Sequence, residues 1–336
     1  MTFRSTAPLA LLFGILASVA ASTSCEKKPT KPPESSDQLA VVTTTGMVAD
    51  LVRSIGGEHV QVRNLIGEGI DPHLYKPTRD DIAELLNADI VFYNGLLLEG
   101  KMAQVLEKTA ATKPVIAIAE QIPAELLIYP EDSGDHPDPH VWLDPELWAQ
   151  CSNPVVEALT QAQPKNAEHF LDNQTTFVAK AASLADYGRQ SIGSIPPNVR
   201  LLITSHDAFN YFGRAFDIEV LGVQGITTES EAGLAEIEQL VAILVERKIP
   251  AVFVESSVPA RSVEALVEGA NAQGVEVVIG GELFTDAMGP SGTFQGTWPG
   301  MIDHDVTTVT RALGGSAPTG GMSGMLTEEV LEAAPQ

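Results

Sequence analysis

Hydrophobic positions along the chain follow two alternating rhythms. Short β-branched runs at residues 39–44, 60–65, 88–93 and 115–119 read as buried strands, and between them apolar residues return at helical spacing. The first helix covers 47–55 and is stopped by Gly56-Gly57; the second is capped by Thr78 and carries Ile82, Leu85 and Leu86; the third spans 99–110. Strand and helix in this order imply a parallel sheet with helices on both faces. Further on, 145–160 reads as helix, and Pro164 opens a longer one reaching residue 192. Phe170, Phe177 and Leu184 recur in it every seven residues, with Ala181 and Tyr187 beside them, so one apolar stripe runs its length until Pro196-Pro197.

The second half restarts the alternation. Strands are expected at 199–204, 218–220, 251–255 and 275–279, and helices at 232–247, 259–272 and 299–313. Residues 227–231 read as the cap of the first of these helices, and Gly280-Gly281 as a turn. The fold class is therefore α/β, with two lobes at 39–163 and 196–314, each a mainly parallel sheet flanked by helices. The helix over 164–195 joins them, although a helix packed within one domain would carry the same stripe. The Gly- and Pro-rich segment 315–336 reads as a flexible tail.

Composition narrows the class. A chain of 336 residues has room for two domains. With 20 Lys plus Arg against 44 Asp plus Glu, and a formal net charge of −24, it lacks the basic footprint a nucleic acid needs. Residues 1–25 have the organisation of an export signal: Arg4, an apolar core from Leu9 to Ala21 too short to span a bilayer, and small residues before Cys25. Ser22-Thr23-Ser24-Cys25 resembles a bacterial lipoprotein cleavage box, which would make Cys25 the lipidated first residue of the mature protein. Ser22 stands where such boxes usually carry Leu, and cleavage near Ala21 to a free protein is the alternative. Residues 26–38 hold Pro and charge and nothing that could join a core, as a disordered tether does. Cys151 is the remaining cysteine, so a lipidated Cys25 leaves the fold without a disulfide.

Candidate chemistry concentrates in two related turns. Asp138-Pro139-His140-Val141-Trp142-Leu143-Asp144-Pro145 sets a histidine among prolines that restrict the backbone, and Asp71-Pro72-His73-Leu74-Tyr75 echoes it. An imidazole held this way loses little entropy on coordinating a metal, and a nearby carboxylate can orient its second ring nitrogen. His206, in Ser205-His206-Asp207, and Asp286, in Leu283-Phe284-Thr285-Asp286, stand at further strand-to-loop positions. The four are 67, 66 and 80 residues apart in turn, so there is no local chelate and only a fold could assemble them.

Taken together and in order, these stretches resemble the metal-binding receptors of bacterial ABC importers, the zinc and manganese solute-binding lipoproteins of the TroA-like, or cluster A-I, family. The likeness covers about residues 39–313 and is also carried by Pro77-Thr78, Ala208-Phe209 with Tyr211-Phe212, Glu229-Ser230-Glu231-Ala232-Gly233-Leu234 and Val254-Glu255-Ser256-Ser257. It implies two α/β lobes on one fairly rigid linker helix, a metal buried in the cleft between them, and His73, His140, His206 and Asp286 as its ligands. It further implies an exported, non-enzymatic receptor, periplasmic or at the cell surface, attached to a membrane through a lipid anchor. Such a protein works as a monomer, captures Zn²⁺ or Mn²⁺ and hands it to an ABC permease in the cytoplasmic membrane. A secreted metallohydrolase using the same cluster, or a surface adhesin, is the alternative.

Three imidazoles and one carboxylate close a four-ligand shell suited to Zn²⁺, and a bidentate Asp286 would give the higher coordination Mn²⁺ accepts. His206 stands where manganese relatives often have a carboxylate, which favours zinc. The short 131–136 segment, with one histidine where zinc relatives often carry a long His-rich loop, favours manganese or a mixed receptor. Glu255, at a strand end, either orients a ligand histidine or makes a plain structural hydrogen bond. His59, His169 and His304 are expected on solvated faces, His136 in a surface loop, and Trp142 and Trp298 in packing.

Overall fold

The computed structural model describes residues 38–130 and 134–326. The export signal, Cys25 and residues 26–37 of the tether lie outside that range. The body opens with β1 (Leu39–Thr43), α1 (Gly46–Gly56), β2 (Val60–Asn64), α2 (Arg79–Asn87), β3 (Ile90–Tyr93), α3 (Ala103–Ala110) and β4 (Val115–Ala117). The strands form one parallel sheet in the order β2-β1-β3-β4. Alternation along β1 sends Val41 into the core containing Met47 and Leu51 of α1, and Val42 to the other face, against Leu85 of α2 and Leu106 of α3. Thr78 caps α2 as expected, in a reciprocal box with Asp81.

The helix expected over 145–160 is two helices, α4 (Pro145–Gln150) and α5 (Ser152–Ala162). Pro154 explains the break: it has no amide to donate, and its ring would meet the Gln150 carbonyl in a continuous helix. After a single turn at Pro164–Asn166 comes α6 (Ala167–Gly193), 27 residues long. Phe170, Phe177, Ala181 and Leu184 are buried along it, and the Tyr187 hydroxyl lies 2.7 Å from Thr307 Oγ1.

The second half contains β5 (Leu201–His206), α7 (Asn210–Phe216), β6 (Glu219–Gln224), α8 (Leu234–Arg247), β7 (Ala251–Glu255), α9 (Arg261–Ala272), β8 (Val278–Leu283) and α10 (Trp298–Ala312). β5 pairs with β6 and β7 with β8, both in parallel, and β5 lies beside β7. Two expectations shift here. α8 begins at Leu234 behind Gly233, which has no side chain to cap it, and the Thr228 hydroxyl donates to Asp71 instead. β8 starts three residues later than expected, which places Gly280-Gly281 inside a strand and not in a turn. A Cβ at Gly280 would stand 2.7 Å from the Cβ of Ala312, so the glycine is what lets α10 lie on β8.

α10 also overturns the reading of His304. Every residue from Gly300 to Thr310 is buried, because α10 packs against α6, α1 and β8 at once and has no solvated face. His304 is 2% exposed, with Nε2 2.9 Å from the Glu282 carbonyl and its ring against Phe284. Residues 315–326, expected to be flexible, fold back onto the same helix. The amides of Met322 and Ser323 donate to the buried Asp303 carboxylate at 2.7 and 2.9 Å, and Leu326 is buried. A buried carboxylate needs such donors.

α6 packs against α1, α4, α5, α7 and α10. The two tryptophans do more than fill space: Trp298 Nε1 donates to the Trp142 carbonyl and Trp142 Nε1 to the Thr285 carbonyl, each at 2.9 Å. Phe177 of α6 lies 5.2 Å from the Trp298 ring, and one hydrophobic core runs through both halves. Among the described residues no helix is long and apolar enough to cross a membrane.

Candidate metal centre

His73, His140, His206 and Asp286 come together, all buried, with one donor atom from each lying within 4.8 Å of the others. His73 Nε2 is 3.2 Å from His140 Nε2. Asp286 Oδ1 stands 3.3 Å from His140 Nε2, and Oδ2 stands 3.3 Å from His206 Nε2 and 3.7 Å from His73 Nε2. Zn–N bonds of about 2.0–2.1 Å place neighbouring donors of a tetrahedron about 3.3–3.4 Å apart, so these separations fit one ion at the centre. Both Asp286 oxygens face imidazoles, which also suits bidentate binding and a higher coordination number. His206 Nε2 and both Asp286 oxygens are buried without a hydrogen-bond partner. Leaving such atoms unpaired is costly, and a cation would satisfy all three.

Each donor is set by its local sequence. The two Asp-Pro-His turns share one device: the aspartate carboxylate accepts the histidine's own amide, Asp71 Oδ1 from His73 at 2.8 Å and Asp138 Oδ1 from His140 at 2.9 Å. In the second turn the same Asp138 Oδ1 also meets His140 Nδ1 at 2.7 Å, fixing the ring. Asn94 Nδ2 donates to the Pro139 carbonyl at 3.0 Å and the Tyr211 hydroxyl to the Asp138 carbonyl at 3.0 Å. His206 ends β5. Glu255, at the end of β7, accepts its amide at 2.9 Å with Oε1 and places Oε2 2.7 Å from its Nδ1. Gly222 of β6 permits this: a Cβ there would fall 2.3 Å from the Asp207 amide nitrogen. Asp286 follows β8 by three residues, on a loop held by Thr285 Oγ1 donating to Glu255 at 2.6 Å and by the Phe284 amide donating to Asp305 at 3.0 Å. Glu255 thus contacts His206 directly and the Asp286 loop through Thr285.

The charges are coupled. Burial works against a charged His140, but Asp138 and Asp286 outweigh it and raise the ring to about 9. Burial also opposes charge on His206, where Glu255 and Asp286 prevail and hold it well above the ordinary imidazole range. Burial wins at His73 and lowers it to about 4 despite Asp286. Burial alone would raise Asp286, yet His206 and His73 keep it well below the usual carboxylate range. The pocket is built for a buried anion with positive charge beside it, which a dication supplies.

Sequence reasoning missed how the donors are supported. Asp138, Tyr211 and Thr285 were visible as parts of their motifs and Thr228 as part of a helix cap, but none of them signals its contact, and Asn94 carries no local signal at all. Nor does Glu99, whose buried carboxylate accepts the Thr44 hydroxyl at 2.7 Å and the amides of Asn94 and Gly95 at 2.8 and 3.1 Å. It steadies a turn in which Gly95, Leu96 and Leu97 all have positive φ. His136 is exposed and His169 too, as expected, and His59 is half-buried.

Comparison with known proteins places the chain in a family. The chain is 42% identical over 276 residues to the manganese-binding lipoprotein MntA of Bacillus subtilis, covering 82% of this chain and 90% of that protein. It is 43% identical over 273 residues to the zinc-binding protein TroA of Treponema pallidum, covering 81% and 88%. The solved structure of that periplasmic zinc-binding protein matches with a TM-score of 0.79, over 82% of this chain and 99% of the other. Residues 41–312, a span that includes all four donors, match the family described as zinc-uptake complex component A, periplasmic, and the chain belongs to that family.

Proposed function

We propose that the chain is the extracytoplasmic receptor of an ABC importer, which captures Zn²⁺ or Mn²⁺ between His73, His140, His206 and Asp286 and delivers it to a membrane permease. The observation that carries this reading is the buried set of four converging donors with orphaned oxygens. It is a binding protein: four protein donors close the shell, whereas a metallohydrolase keeps one position for activated water. The halves at 39–163 and 196–314, bridged by the 164–195 helix, then form the walls of the metal cleft. Lipidation at Cys25, with residues 26–38 as the tether, would hold the receptor, acting as a monomer, at the membrane that bears its permease.

The donor set suits either of two ions. Two relatives of nearly equal identity are named for different metals, and the Asp286 carboxylate can serve either coordination number. By the Irving–Williams order a manganese receptor still binds Zn²⁺ tightly, so affinity alone does not identify the cargo. The test is elemental analysis of protein purified without added metal, then competitive titration of the stripped protein with Zn²⁺ and Mn²⁺. One equivalent of zinc that excess manganese does not displace supports zinc uptake; reversible manganese binding, with zinc locking the protein, supports manganese uptake. No metal by either route would refute the reading.

A further inference from the structure

The three histidines are not equivalent in their surroundings. His140 and His206 are fully buried, each with a carboxylate 2.7 Å behind its Nδ1. His73 is the donor that lines the adjoining cleft, a space of about 550 Å³ whose walls include Leu96, Leu97, Pro139, Ile226 and Thr227. Its turn also uses the aspartate differently. In the His140 turn Asp138 reaches the ring, and its second oxygen accepts from Asn210 at 3.1 Å. In the His73 turn Asp71 serves the backbone amide alone of its own histidine, and its second oxygen accepts from the Thr228 hydroxyl, across from the other half of the chain. Three residues earlier Glu68 accepts the Ser291 amide at 2.7 Å, and Lys101 pairs with Glu229 next to Thr228. The His73 loop is therefore closed by side-chain contacts at its rim, whereas the other donors are held from behind by buried groups.

We infer that metal leaves through this side: His73 is the first ligand to let go, and Thr228, acting through Asp71, is the positioning residue that keeps its loop shut. This rests on the metal-receptor reading above. In the resulting sequence His140, His206 and Asp286 hold the ion while the His73 turn swings toward the cleft, so the strength of the Asp71–Thr228 contact sets the dissociation rate.

The experiment uses Zn²⁺ alone as probe. Stoichiometry is measured first, and the dissociation rate is then followed by chase with excess chromophoric chelator. Thr228→Val should still bind one equivalent and release it about tenfold faster, since a hydrogen bond to a charged acceptor is lost. Thr228→Ser, which restores the hydroxyl, should return to the parent rate, and a single cooperative apo melt in all three shows that each is folded. Thr228 is half-exposed, so the substitution does not threaten folding. In equilibrium titration His73→Ala should retain more Zn²⁺ affinity than His206→Ala. A Thr228→Val rate equal to the parent, or equal losses at His73 and His206, would overturn the gate while leaving the metal site standing. Absence of Zn²⁺ binding by the parent protein would overturn the site itself.

Discussion

His140 Nδ1 and Asp138 Oδ1 lie 2.7 Å apart, both side chains fully buried, in residues only two apart in the chain. The contact fixes which ring nitrogen faces the other donors and makes that nitrogen a better base. Asp138→Asn keeps the shape and removes the charge. Zn²⁺ affinity should fall about 10- to 100-fold, the usual effect of losing such a partner, in competition with a calibrated chelator. Unchanged affinity would mean that the pair only shapes the turn.

The metal-free protein should have opposing pH dependences on its two flanks. His140 titrates near 9 when folded against 6.5 unfolded, so its stabilisation is complete below about 6.5 and is lost as pH rises through 9. His206 is raised too and acts in the same sense. His73, lowered to about 4, does the reverse: below 6.5 the unfolded chain takes up a proton that the folded chain refuses, and stability falls toward pH 4. Denaturant melts of apo protein should lose stability on either side of roughly pH 6.5. Metal affinity should rise between 6.5 and 9 with proton release, because the ion replaces the imidazolium protons.

Both halves should unfold together. Trp298 is fully buried, donates to the Trp142 carbonyl and packs on Phe177 of α6. Trp298→Ala should cost about 3–5 kcal/mol and preserve a single calorimetric transition. Two resolved transitions would show the halves to be independent.

Removing residues 315–336 should destabilise the protein by about 1–3 kcal/mol, because the Asp303 carboxylate then loses the Met322 and Ser323 amides. Thermal melts of the shortened chain measure this, and an unchanged midpoint would make the fold-back incidental.

The strand and helix alternation was legible because each β-branched run is short and each helix carries a one-sided stripe, as Phe170, Phe177 and Leu184 do on α6. The histidine turns were legible because prolines flank them, but the set of four was readable only through family resemblance, since separations of 66 to 80 residues encode no local geometry. His304 was misread because α10 carries Asp303, Asp305, Thr307, Thr308 and Thr310, and a polar helix looks solvated until its neighbours are known. α7 escaped notice at seven residues, too short for periodicity to show. Thr228 looked like a helix cap because capping and a long-range contact ask for the same hydroxyl.

The most direct test of the central claim is X-ray absorption at the zinc edge of protein loaded with one equivalent of Zn²⁺. The account requires three imidazole nitrogens and one or two carboxylate oxygens at about 2.0–2.2 Å with no sulfur, and loss of one imidazole in His140→Ala. A sulfur neighbour, fewer than three imidazoles, or a shell unchanged by that substitution would contradict it.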